Sequence, residues 1–79
     1  MLTVNKYKDI LLDEFYLDEN HEVRRSKDGY HKRFKKGDLA NFFIGNEGYL
    51  CIQVPKARTT VKKSHLVLLL SGVNIPDDM

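Results

Sequence analysis

Two segments in the last third of the chain decide its fold: Gly48-Tyr49-Leu50-Cys51-Ile52-Gln53-Val54 and Ser64-His65-Leu66-Val67-Leu68-Leu69-Leu70-Ser71-Gly72. Residues in the first segment alternate, so a strand formed by it would carry Leu50, Ile52 and Val54 on one face. The second segment is a nearly continuous apolar run. We therefore predict a strand followed by a buried helix.

The residues between and within these segments predict where each element begins and ends. Pro55 ends the strand, and the β-branched residues 59–61 predict a return strand that completes a hairpin. The helix is predicted over residues 65–71, with Ser64 as its N-cap and Gly72 just past its end.

The first half of the chain predicts a helical turn and a second hairpin. Residues 6–13 have the apolar spacing of a short helical turn. Residues 14–17 alternate like a strand, and residues 21–26 are its expected partner across a turn at 18–20. Lys27-Asp28-Gly29 predicts a further turn, because an Asp-Gly pair tolerates positive φ.

The stretch between the two hairpins is basic at first and apolar later. Residues 30–36 are too basic to be buried, which predicts an exposed edge strand or a loop. Asp38 is expected to cap a short turn through residues 39–40. The apolar residues 42–44 are expected to lie inside, before the glycines at 45 and 48 break the chain again.

These elements predict a small α+β domain of antiparallel hairpins, with a short C-terminal apolar helix packed on the sheet. We expect one domain over residues 1–79. Its parts are an acidic N-terminal segment, hairpins with a basic middle, a helix and a tail, at residues 1–13, 14–63, 64–72 and 73–79.

Composition limits the classes of protein to which the chain belongs. Its 79 residues are 42% hydrophobic and 30% charged, which is typical of a globular domain with a small core. We find no apolar run that approaches the roughly 18 residues of a membrane span, and no secretory signal at the N-terminus. The single cysteine, Cys51, favours a reducing compartment. We therefore expect a cytoplasmic protein without membrane contact.

Charge is strongly segregated along the chain. Residues 1–22 carry six carboxylates against two lysines, whereas residues 24–36 carry seven cations against one carboxylate. Such blocks can attract a polyanion or an oppositely charged protein surface. The alternative is that these lysines only keep strand edges and turns solvated, which deters aggregation. The candidate nucleic-acid or partner contacts are Arg24, Arg25, Lys27, Lys32, Arg33, Lys35, Lys36, Lys56, Arg58, Lys62 and Lys63.

Several short motifs, taken in order, resemble the part of a phage-type HNH endonuclease that precedes its catalytic motif. Residues 15–26 are similar to the module Tyr-x-Val-Ser-Asn-x-Gly-x-Val-x-Ser, with His21 where that family usually has glycine. Residues 48–54 match its Gly-Tyr strand, and residues 64–67 partly match its His-Arg-Leu-Val helix, without the arginine. The family's catalytic Asp-His-x-Asn-Gly loop has no counterpart up to residue 79. The resemblance implies that the basic residues lie along DNA, with Tyr30 and Tyr49 adding stacking or sugar contacts.

The sequence offers no recognisable catalytic set. HNH chemistry needs a histidine base and a bound divalent ion, and His21, His31 and His65 do not form a recognisable substitute. Asp77 and Asp78 are expected to be solvated tail carboxylates, and Cys51 is expected to be a small, partly buried strand residue. We therefore expect no enzyme activity, no metal site and no cofactor.

Three functions remain open at this level. The first is a non-catalytic, phage-derived binding protein that acts on nucleic acid or inhibits host nucleic-acid machinery, with bacterial RNA polymerase as the first target to test in the host cytoplasm. The second is the DNA-binding part of a complete HNH endonuclease. The third is a stand-alone DNA-binding module. The host target and the oligomeric state are left open by the sequence.

Overall fold

The fold was analysed in a computed structural model, which describes residues 2–29 and 34–77. Its elements follow in the order α1 (Thr3–Lys6), α2 (Lys8–Glu14), β1 (Phe15–Leu17), β2 (Val23–Arg25), β3 (Phe43–Ile44), β4 (Leu50–Val54), β5 (Thr59–Lys62) and α3 (Lys63–Leu70). One sheet pairs β1 with β2, and the other has the order β3-β4-β5, all antiparallel. The predicted α+β class is confirmed.

The first hairpin is closed by a single aspartate. β1 and β2 form the predicted hairpin, with Leu17 opposite Val23. In the connecting turn, Asp18 Oδ1 accepts hydrogen bonds from the backbone N–H groups of Asn20, at 2.8 Å, and Glu22, at 2.9 Å. This is the side-chain-to-backbone bonding by which aspartate favours turns. It fixes the register of the hairpin.

His21 in this turn has φ of 61°, in the left-handed region that costs a side-chain-bearing residue about 1–2 kcal/mol. Its side chain is exposed, so little packing depends on it. We expect His21→Gly to raise the stability by about 0.5 kcal/mol, which is the relief of this strain less the added entropy of an unfolded glycine. The thermal midpoint should rise by about 2–4 °C, as followed by circular dichroism.

Asn20→Gly is the matched control for this substitution. Asn20 is one residue away and lacks a positive φ. Glycine there should therefore lower the thermal midpoint, and a rise of equal size in both variants would contradict the strain argument.

The second sheet positions most of the core. β4 pairs with β5 so that Ile52 faces Val61 across the strands, and both are buried. Val54 is also buried, which confirms the predicted inward face of β4, but Leu50 at the start of the strand is 44% exposed. The return strand predicted at residues 59–61 is present as β5, after a short 3₁₀ turn over Pro55–Ala57.

Helix α3 covers the core and begins earlier than the sequence predicts. It starts directly after β5, with Lys62 at the N-cap position and no side-chain cap, so the prediction of Ser64 as N-cap is wrong. Its end is as predicted: Gly72 has φ of 85° and donates to the Leu69 carbonyl, while Val73 donates to Leu68. This pair of bonds is a Schellman motif.

The core lies where α3 packs against β1, β4, β5 and the two N-terminal helices. Its largest fully buried side chains are Phe15, Leu11, Ile52 and Leu66. The helical turn predicted at residues 6–13 is present as α1 and α2, which contribute Val4 and Leu11 to this core. One layer of helices thus packs on two small sheets.

Two predictions about the middle of the chain, for residues 42–44 and for Asp38, differ from the structure. Phe43 and Ile44 were expected inside but are 45% and 72% exposed, because β3 is a two-residue edge strand beyond the part of the sheet that α3 covers. Phe42 is half-buried. Leu39 forms an isolated antiparallel bridge with Arg24, and the Asp38 carboxylate accepts from Lys35 N–H, so Asp38 caps the preceding turn and not one through residues 39–40.

The predicted turn at Lys27-Asp28-Gly29 is irregular backbone after β2, and Gly29 does not have the positive φ expected there. Gly29 N–H donates to the Phe34 carbonyl at 2.7 Å. Residues 34–36 lie in a loop as well. The choice between edge strand and loop for residues 30–33 lies outside the described residues.

Candidate nucleic-acid interface

The fold brings the two basic parts of the sequence together at one acidic residue. Lys27, from the first basic block, and Lys56, from the second, both approach Asp13 Oδ2, at 2.5 and 3.8 Å. Lys56 also lies 3.7 Å from Glu14 Oε1. The hydrogen bond from Lys27 is the main reason that the pKa of Asp13 lies below its usual value, and Lys27 has a raised pKa for the same reason. Basic segments that are distant in sequence therefore share one surface.

A groove of about 560 Å³ opens beside this meeting point. Phe15, Phe34, Val54 and Pro55 form its apolar lining. Its charged lining comes from Arg25, Lys56 and Arg58, together with Glu14 and Asp28. We call this cleft the Arg25 groove.

Two further cations belong to the rim of the Arg25 groove. Arg58 is exposed and has φ of 53°, directly after the 3₁₀ turn that follows β4. Lys36 is exposed, and its backbone N–H donates to Asp28 Oδ1 at 2.9 Å, which holds this residue next to the groove lining. With Lys27 and Lys56, these residues form a set that we call the rim cations: Lys27, Lys36, Lys56 and Arg58.

Arg24 stabilises the first hairpin. Its Nε donates to Asp18 Oδ2 at 2.6 Å and its Nη1 donates to the Gly37 carbonyl at 2.8 Å. The bond with Asp18 raises the pKa of Arg24 and is the largest cause of the lowered pKa of Asp18. Arg24 therefore ties the hairpin turn to the loop at residue 37, and a phosphate would have to compete with Asp18 for it.

Arg25 is enclosed by aromatic rings. It is 6% exposed, and its guanidinium carbon lies 3.8 Å from the centre of the Phe34 ring and 5.0 Å from that of Phe15. Burial lowers the pKa of Arg25, while the charges of Glu14 and Asp38 act in the opposite direction. Arg25 is thus part of the groove wall and not an exposed phosphate contact.

Lys62 and Lys63 lie at the opposite end of β5, about 13 Å from Arg58 by the rise of an extended chain. Lys62 Nζ lies 3.9 Å from Glu47 and 4.4 Å from the centre of the Tyr49 ring. Lys63 Nζ lies 5.1 Å from the centre of the Phe42 ring. These two lysines therefore contact different aromatic rings, and neither lines the Arg25 groove.

Some of the remaining candidates lie within the described residues and others lie outside them. Lys35 is exposed on the same loop as Lys36. Lys32 and Arg33 lie outside the described residues, as do Tyr30 and His31. The residue that sequence reasoning missed is Phe34, and the signal was available: it is an aromatic residue set within a run of cations.

The side chains considered for catalysis are dispersed. His21 is exposed in the first hairpin turn, His65 is half-buried in the first turn of α3, and the Cys51 thiol is half-buried, 3.5 Å from the Tyr49 carbonyl. Within residues 2–29 and 34–77, no three histidine, cysteine, aspartate or glutamate side chains gather as metal ligands would.

Asp77 differs from the expectation of a solvated tail carboxylate. It accepts hydrogen bonds from Asn5 Nδ2, at 2.7 Å, and from Leu2 N–H, at 3.3 Å. Asn5 also donates to the Ile75 carbonyl at 2.7 Å. These bonds lower the pKa of Asp77, the one from Asn5 most strongly. Asp77 therefore joins the two ends of the described chain, whereas Asp78 lies outside it.

We compared the chain with known protein families, curated proteins and solved structures. No protein-family model, no curated protein and no solved structure matches this chain. In the part of the chain that the structure describes, none of the helices has the length and apolar character that crossing a membrane requires.

Proposed function

We propose that this chain is a non-catalytic nucleic-acid-binding protein related to the HNH endonucleases, and that it holds the DNA backbone through the rim cations. The observation that carries the proposal is the approach of Lys27 and Lys56 to the same Asp13 oxygen, which places both basic segments on one surface. Several cations on one surface are what a row of phosphates requires, and they give affinity without sequence choice.

The carboxylates beside the rim cations are compatible with this role. Asp13 and its lysine partners are about half exposed. Exposed ion pairs of this kind contribute little to stability, so a phosphate can replace Asp13 at little cost. Asp13 then holds the lysine side chains in place until DNA binds.

Pairing within the chain also favours nucleic acid over the alternative of inhibiting a host protein such as RNA polymerase. That alternative relies on the acidic N-terminal segment to pair with basic host residues. Asp18, in the acidic block of residues 1–22, is only 14% exposed and pairs with Arg24 at 2.6 Å, which leaves one carboxylate fewer for a partner. We therefore place DNA first and a host protein second.

The left-handed conformation of His21 supports the proposed relationship to HNH endonucleases. His21 stands where the resembling module has glycine, and a φ of 61° is the conformation in which glycine is favoured. A match between a motif's glycine and a positive φ links the sequence resemblance to backbone geometry.

The test is binding of a 20-base-pair duplex, measured by fluorescence anisotropy over a series of salt concentrations. We expect the double variant Lys56→Glu/Arg58→Glu to bind at least about tenfold more weakly. The slope of log affinity against log salt should fall by about two, because each phosphate contact contributes about one.

Lys6→Glu/Lys8→Glu is the matched control, since it changes the net charge equally on exposed helix positions away from the groove lining. This control variant should show the same slope of log affinity against log salt as the unaltered protein. Equal losses in both double variants would show attraction by net charge alone and would contradict the proposed surface. Nicking of plasmid DNA by the purified protein with Mg²⁺ would contradict its non-catalytic character.

A further inference from the structure

We infer that the Arg25 groove accepts an unpaired nucleobase, so that this protein prefers DNA containing a base outside the helical stack. The inference rests on the proposed DNA binding and adds the part of the nucleic acid that the groove contacts. Four observations carry it: the apolar lining, the state of Arg25, the mixture of charges and the position of the rim cations.

The lining of the groove fits a flat, aromatic ligand. Phe34 and Pro55 lie on its walls together with Val54. Bases stack on aromatic side chains with about 1–3 kcal/mol per base, and such stacking is tolerant of sequence. A bare phosphate gains nothing from an apolar wall of this kind.

Arg25 places an unsatisfied donor in the same wall. Arg25 is 6% exposed, and no acceptor among the described residues lies within hydrogen-bonding distance of its Nε. An unpaired buried donor is uncommon and destabilises the folded state. Nε is covered in this conformation, so a base acceptor reaches it when the Phe34 ring shifts as the base enters.

The Phe34 ring is in contact with both Gly29 and the Arg25 guanidinium. Its ring packs so closely on Gly29 that a Cβ there would lie 2.1 Å from the ring edge. Gly29 thus leaves the space that Phe34 occupies while it stacks on the Arg25 guanidinium at 3.8 Å. An entering base would lie beside the guanidinium in the same plane, where Nε can donate to it, and both would stack on the Phe34 ring.

The charges of the groove select a base over an isolated phosphate. Glu14 and Asp28 line the groove and repel a phosphate, but they can accept hydrogen bonds from the amino and imino groups of a base. Lys56 and Arg58, also in the lining, remain for the phosphates on either side of that nucleotide. The groove therefore offers a base site between two phosphate contacts.

The experiment compares three DNA duplexes of equal length: fully paired, with a one-nucleotide bulge, and with the same bulge lacking its base. All three carry the same kind of backbone, and the two bulged duplexes carry equal charge. We expect the bulge with a base to bind about tenfold more tightly than the abasic bulge, as one stacked base predicts. Both bulged duplexes should show the same salt slope, because their phosphate contacts are the same.

Two variants of the protein identify the stacking residue. Phe34→Leu should bind both bulged duplexes equally, whereas Phe34→Tyr, which keeps the ring, should retain the preference. Thermal unfolding verifies that both variants are folded, and the comparison of the two bulges on the unaltered protein needs no variant at all.

The outcomes separate this inference from the proposed function. Equal binding of all three duplexes, with a steep salt slope, would overturn the base site while leaving DNA binding in place. Failure to bind any of them would overturn both. A preference for the base that persists in Phe34→Leu would overturn the assignment of the stack to Phe34.

Discussion

Leu66→Ala is expected to remove a large part of the free energy of unfolding. Leu66 is completely buried in α3, which packs against β1, β4 and β5. Truncation of a buried leucine costs about 2–5 kcal/mol. A chain of this length has a total stability of roughly 4–12 kcal/mol, so the loss is a large part of the whole.

Leu12→Ala is the control, because it is the same substitution on a helix at a side chain that is 45% exposed. It should change the free energy of unfolding by less than about 1 kcal/mol. Urea denaturation followed by circular dichroism measures both variants. Similar losses at the two positions would contradict the packing of α3 over the core.

Asp18→Ala is expected to have the second large effect, by opening the first hairpin. One carboxylate accepts from two backbone N–H groups and from Arg24 Nε. Alanine removes all three bonds and leaves Arg24 without its ion pair. Asp18→Asn should be intermediate, because the amide oxygen can still accept from the turn while the charge is lost.

The role of the Asp18 charge can also be measured from the pH dependence of stability. The bond from Arg24 and those from the turn lower the pKa of Asp18 below its ordinary value of 3.8, and Asp13 and Asp77 are lowered as well. A carboxyl with a lowered folded pKa stabilises the protein above its ordinary pKa. That contribution disappears as the pH falls through the lowered value. Stability should therefore decline below about pH 4.

The decline should be smaller in Asp18→Asn than in the unaltered protein, since position 18 no longer titrates. Urea midpoints between pH 5 and pH 2 would show this. An identical acid transition in both proteins would mean that the charge of Asp18 does not contribute to the stability of the folded protein.

Local patterns in the sequence were sufficient for the elements but not for all of their boundaries. The alternation in β4 predicted the buried Ile52 and Val54, and Gly72 predicted the end of α3. Ser64 was misassigned as a cap because the helix begins at Lys63, directly after β5, which places Ser64 inside the helix. Ile44 was misassigned to the core because hydrophobicity does not show that its strand lies at an edge.

The candidate site required tertiary structure for a different reason. The sequence marks two basic blocks, but only the fold shows that Lys27 and Lys56 meet at Asp13, a residue from the acidic segment. Arg24 and Arg25 are neighbours with the same charge, yet β2 sends one towards Asp18 and the other between two phenylalanine rings. Successive side chains of a strand point to opposite faces, which explains why the two arginines have different partners. Composition alone does not distinguish them.

The bonds that Leu2 and Asn5 make with residues 75–77 have a practical consequence for engineering. A fluorophore attached at residue 2 or at residue 77 will lie in the same small region of the surface. A short peptide that joins residue 77 to residue 2 would close the polypeptide into a ring with little distortion, and the smaller entropy of the unfolded ring would favour the folded state.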